Sequence, residues 1–170
     1  TQKTNTANWA GAHRLLTNRL AQAAVIETTA RSILEEGLAY DRCLVGVVTD
    51  MDGFDTLADH DVREQGQMTR VMRTQIDVVL SEGAGVLNAD EEQVVDLARL
   101  CDGEVLLYST QADNAHIATH RADNAEGRAV FVAVDGVGLD RGREEIAFLI
   151  ERDMVKVCRL DPVGGEHQQA

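Results

Sequence analysis

The stretch Tyr40–Asp50, which reads YDRCLVGVVTD, decides how this chain folds. Its apolar part, from Leu44 to Thr49, is short, rich in valine and followed at once by an acidic residue. This pattern is typical of a buried strand that ends in a loop. A second run of this kind, Gly85–Asp90 (GVLNAD), follows further along the chain. Because ligands of open parallel sheets bind beyond the carboxyl ends of the strands, we expect the working edge of the protein where these two runs end.

Helical and strand patterns alternate on both sides of this stretch. Apolar spacing predicts helices over 9–20, 29–38, 64–73 and 91–101, and strands over 23–26, 44–49, 84–88 and 104–109. Residues 76–80 are predicted as a strand or extended run, and residues 110–126 as irregular. A hairpin is predicted around Asp135-Gly136, and 144–150 fits a strand or a helix. The alternation indicates an α/β, three-layer domain with a mostly parallel sheet, to which the late hairpin adds antiparallel strands.

The charge and cysteine content exclude several function classes. Sixteen Lys and Arg residues against 29 Asp and Glu leave a net charge of -13 in 170 residues. Such a surface repels nucleic acid and anionic membranes, so a nucleotide would need metal ions, backbone amides or a few placed cations. The three cysteines are far apart and form no metal-ligand spacing. With no apolar stretch of membrane-spanning length and no signal-peptide pattern, we expect a cytoplasmic protein.

Five pieces of the sequence carry a resemblance to a known family. They are Ala23–Thr28, Ile33–Leu38, Asp41–Thr49, Val86–Asp90 and Gly127–Val132. In this order they resemble segments of the central ATP-binding domain of the Mur ligase superfamily and, within it, of the C-terminal half of the cyanophycin synthetases. The similarity extends over roughly residues 9–150. It implies that residues 1–160 are an incomplete ATP-binding central domain and that 161–170 are a tail or the start of a missing segment.

The resemblance implies an ATP-dependent amide ligase. In this family a carboxylate is phosphorylated by ATP, and an amine then attacks the acyl phosphate. In the C-terminal half of the cyanophycin synthetases this chemistry is linked to the addition of arginine to an aspartate side chain of a growing polymer. The implied cofactors are ATP and Mg²⁺, and the implied partners are a nucleotide and an amino-acid or peptide substrate. Phosphoryl transfer of this type depends on positioning and on metal ions that offset phosphate charge.

The family pattern assigns binding roles to five residues. A complete phosphate loop, G-x-x-x-x-G-K-[ST], is absent, but Lys3 and Thr4 resemble its last positions. Lys3 would then contact phosphate and Thr4 would contact Mg²⁺, while Glu27 would hold the metal at a strand end. Asn88 and Asp90 belong to the V-L-N-A-D piece and would bind the nucleotide. The spacing from Lys3 to Glu27 is shorter than in the family, so either the protein lacks a segment or the chain skips one.

Three further residues stand where the family pattern is not kept. Asp55 lies where a metal-binding histidine is expected, and His60 would replace that histidine if the loop slips. Arg73 lies near the position of a catalytic lysine, whose charge it keeps, although arginine cannot be carbamoylated. The A-R-G-G that follows the glutamate in the family is Thr29–Ser32 here, without glycines. The predicted catalytic residues are therefore Arg73 and His60, with Asp55 as a further metal ligand.

Simpler interpretations of these residues stay open. Asp50, Asp52 and Asp55 fit a cation site, since hard cations prefer carboxylates, but they also fit a solvated acidic loop. Asn88 and Asp90 fit the end of a strand and the cap of the next helix. The whole chain fits a ligase domain, a catalytically degenerate scaffold or oligomerisation domain, or a small nucleotide sensor. A homo-oligomer is compatible with each.

Overall fold

The computed structural model of the protein describes residues 8–111 and 113–123, and it confirms the predicted α/β class. The helices are α1 (Trp9–Leu16), α2 (Ala30–Glu36), α3 (Gln65–Met72), α4 (Thr74–Asp77), α5 (Glu92–Val95) and α6 (Ala115–Asp123). Two 3-10 helices span Phe54–His60 and Asp96–Leu100. The strands are β1 (Cys43–Val48), β2 (Val79–Asn88) and β3 (Glu104–Tyr108). None of the helices in these residues is long and apolar enough to cross a membrane.

The three strands form a parallel sheet in the order β1-β2-β3. Val47 of β1 pairs with Val86 of β2, which in turn pairs with Leu106 of β3. Parallel neighbours need a crossover connection, and helices or 3-10 turns supply it between each pair of strands. All three strands therefore end at the same edge, as the sequence predicts for the first two.

One face of the sheet builds the main core. The fully or nearly fully buried side chains of Val48, Leu87 and Leu107 share this face, because Leu87 is paired in register with both of the others. They pack against buried side chains of the helical layer, which are Met68, Val71, Met72, Ile76, Val94, Leu97 and Ile117. The helical layer thus fixes the sheet whose edge carries the candidate site.

Two paired glycines let the helical layer lie directly on the sheet backbone. Gly46 of β1 is opposite Gly85 of β2. A Cβ on Gly46 would lie 2.5 Å from the carbonyl oxygen of Gln75 and 2.7 Å from Cγ2 of Val79. A Cβ on Gly85 would lie 2.9 Å from the thiol sulfur of Cys101. The absence of side chains at both positions is therefore a packing requirement.

We expect Gly46→Ala to destabilise the protein by about 2 kcal/mol, because the new methyl group forces α4 away from the sheet. Gly66 provides a matched control, since a Cβ there meets nothing within 4 Å and the residue lies in α3. Gly66→Ala should be neutral or stabilising by up to about 1 kcal/mol, as alanine favours the helix. Urea unfolding of both variants measures the difference. A Gly46→Ala variant as stable as the wild type would show that α4 moves away freely.

The predicted strand over 23–26 is wrong. These residues belong to no strand, and Val25 is 59% exposed. A short apolar run becomes a strand only where a neighbouring strand pairs with its backbone, and the sheet of the described residues does not include it. The first helix is also shorter than predicted and ends at Leu16. There, the Thr17 hydroxyl donates to the carbonyls of His13 and Arg14 and competes with the next helical turn.

Other predicted boundaries change where tertiary pairing outweighs local pattern. Residues 76–80 divide between α4 and β2, and β2 begins at Val79, earlier than the strand predicted over 84–88. The helix predicted over 91–101 is α5 followed by a 3-10 helix. A helix, α6, replaces part of the predicted irregular segment, because the Asn114 side chain accepts from the backbone N–H groups of His116 and Ile117. The predicted hairpin and residues 144–150 lie outside the described residues.

Candidate functional site at the carboxyl edge of the sheet

The ends of β1 and β2 are joined by one side chain, Asn88. Its Nδ2 donates to the carbonyl oxygen of Thr49 at 2.8 Å, and its Oδ1 accepts from the backbone N–H of Asp90 at 3.0 Å. The structure therefore brings Thr49, Asn88 and Asp90 together at the sheet edge, as the position of each after a parallel strand predicts.

Asp90 links this edge to the end of β3. Its carboxylate accepts hydrogen bonds from the Ser109 hydroxyl, from the Thr110 backbone N–H at 2.8 Å and hydroxyl at 2.5 Å, and from Asn114 Nδ2 at 3.2 Å. Desolvation by burial raises the pKa of Asp90, but these hydrogen bonds together outweigh it and hold the pKa below its usual value. An ionised carboxylate is thus built into the edge.

The predicted role of Asp90 as a helix cap is wrong, because other partners already bind its carboxylate. Helix α5 has Glu91 as its N-cap residue and no side-chain capping bond. The carboxylate of Asp90 is held instead by the loop after β3, a contact between residues about twenty apart in sequence. Local spacing favours a cap, whereas the hydroxyls that bind Asp90 come from Ser109 and Thr110 in the loop after β3.

Further carboxylates lie near Asp90. Glu91 Oε2 accepts from the backbone N–H of Met51 at 3.2 Å. Burial raises the pKa of Glu91, and the nearby charges of Asp52, Asp50 and Asp90 raise it further. Burial also raises the pKa of Tyr108 to about 12, with contributions from the Asp50, Glu91 and Asp90 charges. The edge is strongly electronegative, and it favours a cation or a neutral donor over a free anion.

A cavity of about 350 Å³ opens beside the end of β1. The acidic residues Glu27, Asp50 and Asp52 line it, together with Arg31 and Met72. The other lining residues are Thr28, Thr29, Ala30, Thr49, Gly53, Thr56, Leu57 and Met68. The volume lies at the lower end of the range for small-ligand pockets. The segment before α2 supplies one wall, and the loop after β1 supplies another.

Arg31 anchors the wall formed by the first 3-10 helix. Its Nη1 lies 2.9 Å from Asp59 Oδ2 and 3.3 Å from Glu35 Oε1, and its Nη2 donates to the Thr56 carbonyl at 2.6 Å. The hydrogen bond with Asp59 and then that with Glu35 raise the pKa of Arg31, and the bond with Arg31 lowers the pKa of Asp59. Sequence reasoning missed Arg31 as a site residue. Its position four residues after Glu27, at the start of a helix, was the available signal.

His60 belongs to the same ion network. Its Nε2 lies 3.3 Å from Glu35 Oε1, 3.6 Å from Asp59 Oδ2 and 3.2 Å from Arg31 Nη1. His60 does not line the cavity. The structure therefore places this predicted catalytic residue outside the cavity lining, in contact with Arg31, which does line the cavity.

The other predicted catalytic and metal-binding residues that the structure describes, Arg73 and Asp55, do not line the cavity. Arg73 donates from Nε to Asp77 Oδ2 at 2.8 Å and does not line the cavity, although its neighbour Met72 does. Asp55 is exposed on the first 3-10 helix and is also not a lining residue. Lys3 and Thr4 lie outside the described residues. Within the part of the chain that is described, no three His, Cys, Asp or Glu side chains converge to hold a metal ion.

Comparison with known proteins decides the family relationship. The cyanophycin synthetases of Crocosphaera subtropica and of Synechocystis sp. are each 36% identical to this chain over 106 residues, which is 62% of the chain. The cyanophycin synthetase of Geminocystis herdmanii is 33% identical over 110 residues, or 65% of the chain. The chain is homologous to a segment of cyanophycin synthetase. The resemblance that the five sequence pieces predict is thereby confirmed.

The homology also covers only a small part of the related enzymes. The chain matches only 12% of the length of these cyanophycin synthetases. No protein-family model matches it. The relationship to cyanophycin synthetase therefore covers a Mur-ligase-like part of a much longer enzyme, and it leaves the activity of this part to be argued from its own residues.

Proposed function

We propose that this chain belongs to an ATP-dependent carboxylate–amine ligase of the cyanophycin synthetase type. In that reaction the γ-phosphoryl group of ATP passes to a substrate carboxylate, ADP leaves, and an amine then displaces phosphate from the acyl phosphate to form an amide. One observation carries the proposal. A cavity lies at the carboxyl edge of the parallel sheet, and its walls include Glu27 and Asp50, which stand at the ends of two family-like sequence pieces.

The charge of the cavity determines the form in which a nucleotide would bind. The lining residues include three acidic residues and one arginine, whose guanidinium already binds Asp59 and Glu35. Phosphate groups would be repelled unless a divalent cation accompanied them. Carboxylate oxygens are the ligands that Mg²⁺ prefers, so the lining residues fit this ion. In the proposal Glu27 and Thr4 hold Mg²⁺, which offsets phosphate charge, while Lys3, Asn88 and Asp90 bind the nucleotide.

A second candidate function is a catalytically degenerate scaffold. The observation that favours it concerns the predicted catalytic residues, Arg73 and His60. The first binds Asp77 and the second lies in the ion network of Arg31, and neither reaches the cavity. A domain that lost ligase activity would retain the edge and its supporting contacts without a positioned cation.

Calorimetric titration of the 170-residue chain with ATP separates the two candidates. We expect binding at millimolar or lower ATP when Mg²⁺ is present and a loss of binding when EDTA removes it, because the cavity is acidic. No binding at several millimolar ATP with Mg²⁺ would contradict the ligase proposal and favour the scaffold. Where ATP binds, release of ADP in the presence of arginine and an aspartate-rich primer distinguishes a ligase from a nucleotide sensor.

A further inference from the structure

The first 3-10 helix, Phe54–His60, lies between two residues with a left-handed backbone. Gly53 before it has a φ of 80°, and Asp61 after it has a φ of 59°. Just outside these two residues, the side chains of Met51 and Val62 are buried, with exposed fractions of 0% and 4%. Residues at the ends of an element absorb the backbone rotation of hinge motions. The segment is thus a short piece of chain between two fixed points, and we call Phe54–His60 the lid.

The lid forms part of the cavity wall. Its residues Thr56 and Leu57 line the cavity, as does Gly53 at its start. Leu57 is 3% exposed, whereas the other side chains of the lid are exposed or half-buried. Because apolar stabilisation grows with the area removed from water, one buried leucine is a limited attachment for seven residues.

Arg31 of α2 supplies a second attachment. Its guanidinium contacts the lid at the Asp59 carboxylate, at 2.9 Å, and at the Thr56 carbonyl oxygen, at 2.6 Å. It also contacts Glu35 of its own helix at 3.3 Å, and that carboxylate lies 3.3 Å from His60 Nε2. An isolated exposed ion pair contributes little, but a planar guanidinium that joins several acceptors fixes their positions. The polar contacts between α2 and the lid therefore depend mainly on Arg31.

We propose that Arg31 is a positioning residue that holds the lid closed over the cavity, and that a ligand enters and leaves when its contacts with the lid break. The identity of the ligand, ATP with Mg²⁺, rests on the proposed function. The lid is defined by the contacts of the ligand-free chain. Loss of these contacts lowers the population of the closed state, so a bound ligand dissociates faster.

Hydrogen exchange of the ligand-free chain tests the lid directly. The backbone N–H of Val62 donates to the Leu57 carbonyl oxygen at 3.2 Å, so it exchanges when the lid opens. Over residues 53–62, Arg31→Gln should accelerate exchange by about fivefold and Asp59→Asn by about threefold, while exchange in β1 stays unchanged. Wild-type exchange over 53–62 in both variants, or equal acceleration in β1, would overturn the proposal.

Arg63→Gln is the matched control. Arg63 pairs with Asp61 at 3.2 Å beside the lid, and both side chains are more exposed than those of Arg31 and Asp59. The variant removes the same charge as Arg31→Gln but leaves the contacts between α2 and the lid intact. It should change exchange over residues 53–62 by less than about twofold. An effect as large as that of Arg31→Gln would show that charge alone loosens the segment, against the proposal.

Asp59→Asn separates positioning from direct contact with the ligand, because Arg31 lines the cavity and Asp59 does not. The variant removes a negative charge from an acidic protein, and this change alone would tighten the binding of an anionic nucleotide. The lid predicts the opposite sign. A fluorescent ATP derivative bound with Mg²⁺ should dissociate about threefold faster when excess ATP displaces it in a stopped-flow experiment.

Calorimetry of Asp59→Asn excludes a merely structural effect. An unstable variant would bind fewer nucleotides per chain at an unchanged Kd, whereas an open lid leaves the stoichiometry unchanged and raises Kd. Dissociation from Asp59→Asn at the wild-type rate or slower would contradict the proposal. A wild-type chain that binds no ATP would contradict the ligase function instead, and hydrogen exchange would still decide whether Arg31 holds the lid.

Discussion

Replacement of Glu27 by Gln is expected to weaken Mg²⁺-dependent ATP binding by roughly 30-fold. A carboxylate about 4 Å from a unit charge contributes about 4 kcal/mol at an effective dielectric constant of 20. Glu27 lines the cavity and is exposed, so solvent screens its charge and about half of that value, about 2 kcal/mol, is expected. Gln keeps the size and one carbonyl oxygen of the side chain but removes the charge. Calorimetry at several Mg²⁺ concentrations measures the loss.

Asp55→Asn provides the matched control. Asp55 was predicted as a metal ligand from the same family pattern, but it does not line the cavity, whereas Glu27 does. Loss of one carboxylate charge at Asp55 should therefore change the Mg²⁺ dependence by less than about twofold, since an exposed charge in water is largely screened. An unchanged Mg²⁺ dependence in Glu27→Gln would remove this residue from the proposed site. A larger effect of Asp55→Asn would move the metal site to the first 3-10 helix.

Replacement of Asp90 by Ala is expected to lower the free energy of unfolding by about 3 kcal/mol. The carboxylate accepts from Ser109, Thr110 and Asn114, and Ser109 is fully buried. Removal of the acceptor loses charge-assisted hydrogen bonds and leaves a buried hydroxyl with one fewer partner. These hydrogen bonds connect the residue after β2 with the loop after β3, so their loss should destabilise both segments. Urea unfolding at neutral pH measures the change.

The effect of Asp90 should depend on pH in a defined direction. Its pKa in the folded protein is below the unfolded value, so the folded state favours the ionised form. The stabilisation is complete above the unfolded pKa, about 3.9, and is lost as pH falls through the lower folded pKa. The difference between wild type and Asp90→Ala should thus shrink only below about pH 4.

Asp96→Ala serves as the control for this loss. Asp96 pairs with Arg99 at 4.0 Å on the surface, and exposed ion pairs contribute at most about 1 kcal/mol. Equal destabilisation by the two alanine variants would show that the hydrogen bonds around Asp90 contribute nothing beyond surface charge.

The sheet edge could be predicted because its signals are local. The valine-rich run of β1 and the V-L-N-A-D run of β2 are each followed directly by polar residues, and parallel pairing then brings Thr49 and Asn88 into contact. Glu27 was identified through the family resemblance and Asp50 from the acidic loop after β1, and both residues line one cavity.

The partners of these residues could not be predicted from spacing. Arg31 and Asp59 are 28 positions apart, and their ion pair forms only because the first 3-10 helix folds back over α2. Arg73 was expected near the site because it lies near the position of a catalytic lysine in the family pattern. Its guanidinium binds Asp77 one turn later, a contact that a charge at the i+4 position of a helix makes readily.

The sequence by itself determined the α/β class, the positions of β1, β3 and the end of β2, and the family relationship. These depend on periodicity and on short ordered motifs, which are properties of neighbouring residues. Only the tertiary structure decided that residues 23–26 are not a strand, that Asp90 binds the loop after β3, and that His60 and Arg73 lie outside the cavity. Each of these depends on which distant backbone or side chain supplies a hydrogen-bond partner, and that choice is made only when the chain packs.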